Sequence, residues 1–159
     1  MNKYEYLKNE ACNSGIDVID DYKFNSSKFK GLYCDGTIAI SSNINTSVEK
    51  SCILAEEIGH HNTTIGNIID MNCGSNQKQE LQARLYGYNK LIGLQGLINA
   101  FEHNCTNLYE TAEFLDVTEE FLLDTIKAYQ VKYGNYKTFN DYVILFNYPN
   151  VNIMKFNRR

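Results

Sequence analysis

The chain has no tryptophan and a single proline, Pro149, and it carries no Gly/Ser tract and no internal repeat. No linker announces itself, so one domain is expected over 1–159: a first part at 1–104 and a helical and β-tail extension at 105–159. Long apolar runs are also missing. The longest are of the length of Val143-Ile144-Leu145-Phe146, whereas a bilayer-spanning helix needs about 20 apolar residues. The start, Met1-Asn2-Lys3-Tyr4-Glu5, lacks a charged-then-apolar leader pattern, so a cytoplasmic protein is expected. Basic residues are in deficit, with net charge −4 and one cluster, Arg158-Arg159. A nucleic-acid binder usually shows a basic face, so direct nucleic-acid binding is not expected. The five cysteines (Cys12, Cys34, Cys52, Cys73, Cys105) include no C-x-x-C pair. That fits reduced thiols better than a disulfide framework or a zinc ribbon.

What is present suits a globular domain. Hydrophobic residues make up 43% and aromatics 13% of the chain, against 21% charged, a mix that buries a core rather than staying disordered. Tyr4–Ala11 reads as a helix that stops near Gly15, and Ile16–Ile19 as a short strand. Gly31–Cys34 and Thr37–Ile40 flank Asp35-Gly36, the pair that supplies both positive-φ positions of a type I′ hairpin. Thr46-Ser47-Val48-Glu49 is a capping box that starts a helix at Ser47 and carries it to about His61. A second helix begins near Asn76 with Glu80, Leu81, Leu85, Tyr88 and Ile92 at spacings of three and four, and glycines 87, 93 and 96 predict a break near Ile92. Further helices are expected at 94–103, 107–115 and 118–133, the last capped by Thr118. Strands are expected on either side of Asn147-Tyr148-Pro149-Asn150. The class is α+β.

Chemistry concentrates in Leu54-Ala55-Glu56-Glu57-Ile58-Gly59-His60-His61. Residues four apart on a helix stand one turn above each other, so Glu56 and His60 share a face. A carboxylate and an imidazole in that relation can hold one zinc ion. The zincin pattern H-E-x-x-H uses the same spacing, with a glutamate at the second position accepting a proton from water. Glu57 holds that position, and Glu56 stands where the first histidine would be. A third ligand must come from elsewhere. Glu80 fits best, in the first turns of the next helix, if two antiparallel helices are joined by the Thr63–Ser75 loop; Asp70 and Cys73 in that loop are weaker candidates. In a second register Glu57 and His61 form the i, i+4 pair, making His61 an alternate ligand. Cys52 reads as a small core residue, and His103 as a helix C-terminal residue favoured by the dipole. Segment 107–130 has a helix-turn-helix pattern but an acidic helix, so it reads as structural or protein-docking.

The sequence resembles the ImmA/IrrE-type metallopeptidases of phages and integrative elements. The resemblance rests on Gly31-Leu32-Tyr33, Asp35-Gly36-Thr37-Ile38, Leu54–His61 with Thr63-Thr64, Lys78-Gln79-Glu80, and Leu115–Phe121 with Lys132-Tyr133-Gly134. It covers about residues 4–134 and is most specific over 48–92. It implies a zincin-like fold with a small N-terminal antiparallel sheet, an active-site helix and a mostly helical C-terminal half. The edge strand Thr37–Ile40 is expected to receive substrate. The implied activity is Zn²⁺-dependent cleavage of a helix-turn-helix repressor, with Glu56, His60 and Glu80 as metal ligands and Glu57 as the base. Glu56 departs from the usual motif and makes the site more anionic. The rival reading is a regulatory module of the same fold that binds the repressor without cutting it.

Overall fold

The computed structural model describes residues 1–64 and 76–156. They form a mixed α+β protein with two small sheets. The chain divides into two compact units, Met1–Lys90 and Leu91–Arg159.

In the first unit, α1 (Lys3–Asn13) leads through Gly15 into β1 (Asp17–Tyr22). A capping box starts α1, with the Asn2 side chain accepting the Glu5 amide and the Glu5 carboxylate accepting the Asn2 amide. β2 (Gly31–Cys34) and β3 (Thr37–Ser41) form the expected hairpin, and Asp35 and Gly36 both take positive φ, 46° and 80°. Thr46 accepts the Glu49 amide at 3.2 Å and opens α2 (Ser47–Thr64), followed by α3 (Asn76–Leu91).

Two expectations about the sheet are corrected. The strand order is β1-β3-β2, with β1 parallel to β3 and β2 antiparallel to it, so the sheet is mixed rather than antiparallel. Thr37–Ile40 is therefore the central strand, and the edges are β1 and β2. The reason is burial: Ile38 and Ile40 are fully buried, which a strand covered on both sides explains and an edge strand does not. Ile38, Ile40, Leu7 and Ile16 form the core with Leu54 and Ala55, where α2 lies against α1, β2 and β3. Burying each large aliphatic side chain here contributes about 2 kcal/mol. Asp20 of β1 accepts from the Tyr4 phenol and the Lys8 ammonium, tying the sheet to α1.

The second unit begins where α3 stops at Leu91 and Gly93 takes φ +66°, the break expected near Ile92. Its helices are α4 (Gly93–Glu102), α5 (Leu108–Leu115) and α6 (Glu119–Tyr133). Thr118 caps α6 by accepting the Phe121 amide at 3.0 Å. An antiparallel meander follows: β4 (Tyr136–Phe139), β5 (Tyr142–Asn147) and β6 (Asn150–Lys155). The sequence reading has no counterpart to β4, whose pattern is mostly exposed. Tyr129, Tyr133 and Phe146 pack together between α6 and the meander. α4, grouped in the sequence reading with 1–104, belongs to this second unit.

Candidate functional site

Two close approaches build the site. A Cβ on Gly59 would stand 2.1 Å from the Ala83 carbonyl oxygen, so only glycine lets α3 come this near to α2. Gly87 lies against Ala55 and Glu56 less tightly, where a Cβ would meet the Glu56 amide nitrogen at 3.2 Å. Positions 55–60 of α2 thus meet positions 87–80 of α3 in descending order, and the two helices run antiparallel. On the other side of α2, a Cβ on Gly31 would meet the Ile53 methyl at 2.5 Å and the Glu57 Cγ at 3.3 Å. The edge strand β2 is in this way laid directly beside Glu57.

The antiparallel crossing brings Glu80 to His60, with Oε2 and Nε2 3.4 Å apart. Two donors of one tetrahedral zinc, each bonded at about 2.0–2.1 Å, stand roughly 3.3–3.4 Å from each other. The separation of the pair is compatible with a shared zinc and equally with a direct imidazole–carboxylate contact. The other oxygen of Glu80, Oε1, accepts from Arg84 Nε at 3.1 Å one turn along α3.

Glu57 is half-buried where α2 lies against β2. Burial is the main reason its carboxyl is pushed up to about 7, and the nearby Glu56 and Glu80 carboxylates add to the rise. The Tyr33 backbone N–H donates to Glu57 and pulls the other way. A group placed so can both take and release a proton near neutral pH.

The two adjacent histidines part company. His60 turns to Glu80 on α3, whereas His61 turns to the hairpin, its Nδ1 2.9 Å from the Tyr33 hydroxyl. Tyr33 also accepts the Gly36 amide at 3.1 Å, so its phenol ties the β-turn to α2. That contact engages one ring nitrogen of His61, the alternate ligand.

Of the three expected ligands, His60 and Glu80 come together. Glu56 stays close enough to act electrostatically on Glu57 and Arg84. Among the described residues, however, no group of three His, Cys, Asp or Glu side chains is arranged as a metal cage. The donor chemistry, one imidazole nitrogen and two carboxylates, suits zinc, and His60 and Glu80 are the two of the three that stand in contact. Asp70 and Cys73 lie outside the described residues. Cys52 is buried, as expected of a core thiol, and His103 caps the end of α4 and stacks on Phe114 with ring centroids 4.6 Å apart.

Sequence reasoning missed Tyr33 and Arg84 as parts of the site. Arg84 was legible, since it stands four residues after Glu80 on one helix, the spacing of a surface ion pair. Tyr33 carried no such signal, because its partners come from a turn and from a helix far along the chain. Comparison with protein-family models, with curated proteins and with solved structures returns no match to this chain.

Proposed function

We propose that the chain is a zinc-dependent endopeptidase of the ImmA/IrrE type, with a zincin-like first unit, that cuts a helix-turn-helix repressor in the cytoplasm. The observation that carries this reading is the 3.4 Å approach of His60 Nε2 to Glu80 Oε2 across two helices, with Glu57 next to it. Glu56, His60 and Glu80 are the proposed ligands. Bound there, Zn²⁺ supplies a Lewis acid that polarises the scissile carbonyl and acidifies water.

The chain's own residues do the rest. The Tyr33 N–H fixes one side of the Glu57 carboxylate, which takes a proton from the attacking water and hands it to the leaving amine. Among the described residues β2, not β3, is the edge strand beside Glu57, so an extended substrate segment would align along Gly31–Cys34 and meet Glu57 at the Tyr33 N–H. Completing the ligand set requires Glu56 to join the His60–Glu80 pair, a grouping of three not found among the described residues.

That requirement is what favours the second reading, a regulatory module that binds the repressor and cuts nothing. Zinc stoichiometry after equilibrium dialysis separates the two. The peptidase account expects about one equivalent in the wild type and a large loss in His60→Ala and Glu80→Gln. Glu57→Gln should keep its zinc and lose cleavage of the repressor. Less than about a tenth of an equivalent in the wild type would favour the regulatory module.

A further inference from the structure

Arg84 is a cation held against this site's carboxylates, and its environment reflects two of them. Its Nε donates to Glu80 Oε1 at 3.1 Å, and Glu80 and Glu56 both strengthen its hold on its charge. Glu80 is shared, with Oε1 on the guanidinium and Oε2 facing His60 at 3.4 Å. Glu56, Glu57 and Glu80 gather carboxylates at one helix crossing, and Arg84 sets a positive charge against them.

We propose that Arg84 is a resident countercharge that sets how tightly this site takes up a divalent cation, which rests on the metal reading above. A dication arriving between His60 and Glu80 approaches an oxygen pair whose other half is already held by a guanidinium. The arriving ion is repelled by that fixed charge, and it also draws Glu80 away from Arg84. Arg84 and the metal therefore compete for one carboxylate, and by linkage each weakens the other. The orientation that Arg84 gives Glu80 acts in the opposite sense. It is the smaller effect, because a half-exposed i, i+4 pair contributes only a few tenths of a kcal/mol. Repulsion between a unit charge and a dication a few ångströms away, in surroundings this open, amounts to about a tenfold change in affinity. Arg84 is in this account a positioning and charge-setting residue, not a catalytic one.

The test is a zinc titration against a chromophoric chelator at fixed pH and ionic strength, using the full chain. Arg84→Met, which keeps much of the side-chain length without the charge, should bind zinc about tenfold more tightly than the wild type. Arg84→Lys, which keeps the charge, should stay within about twofold of the wild type, and added salt should narrow the gap between Met and wild type. Zinc binding by Arg84→Met equal to or weaker than that of the wild type overturns the inference. So does a tightening by Arg84→Lys as large as that of Met. A wild type that takes up no zinc at all overturns the metal reading itself and this inference with it. Far-ultraviolet circular dichroism of each variant identifies a folding failure, and Arg84→Gln then replaces a misfolded Met variant under the same expectation.

Discussion

At the scale of single residues, Glu57 is the position where the fold works against its own stability. A carboxyl raised to about 7 binds its proton more tightly in the folded chain than in the unfolded one, where its ordinary value is 4.5. The sign follows directly. Below the unfolded value the group is neutral in both states and costs nothing. As pH rises from 4.5 through 7 the folded state loses stability, and above 7 the full cost of a buried, crowded carboxylate is present. Replacing Glu57 by Gln should therefore stabilise the metal-free protein by on the order of 3 kcal/mol at pH 8 and by almost nothing at pH 4. Urea denaturation at the two pH values reads this out; equal stability of wild type and variant at pH 8 would contradict the environment described for Glu57. A residue that destabilises its own fold is typical of a site shaped for chemistry. The sequence made Glu57 visible through the E-E-x-x-H spacing. Its burial was not visible, because that comes from Gly31 and Tyr33 on a distant strand.

At the scale of elements, the site depends on how closely α2 and α3 cross. Gly59→Ala puts a methyl group into the Ala83 backbone and should cost about 3 kcal/mol, since backbone cannot give way as a flexible side chain can. Gly87→Ala meets its nearest neighbour at 3.2 Å and should cost less. Thermal unfolding of the two variants tests the order, and a Gly59→Ala protein as stable as the wild type would contradict the crossing. Helices and their ends were legible because their signals are local: Thr46 with Glu49, Thr118 before α6, Asp35-Gly36 at the turn. Strand partners were not. Nothing in Ile16–Ile19 says that β1 joins the far side of β3 in parallel, because pairing is settled by which faces α1 and α2 cover. β4 escaped notice for a related reason: an exposed edge strand has no hydrophobic alternation to read.

At the scale of the whole chain, the second unit carries its charge unevenly. Lys and Arg are absent from Leu91 to Ile126, while Glu110, Glu113, Glu119, Glu120 and Asp124 are exposed. A helix pair that reads DNA needs cations against phosphate, so α5 and α6 should show no salt-sensitive affinity for duplex DNA. Fluorescence anisotropy with a labelled duplex checks this, and micromolar binding that weakens steeply with salt would contradict it. No helix among the described residues is long and apolar enough to cross a membrane. The account as a whole turns on whether Glu56, His60 and Glu80 share one ion. Crystals grown with zinc and measured on both sides of its absorption edge decide that most directly. A single anomalous peak about 2.0–2.1 Å from His60 Nε2 and from oxygens of Glu80 and Glu56 is the predicted result. A map with no peak among those three side chains, or with its only peak at His61, would contradict it.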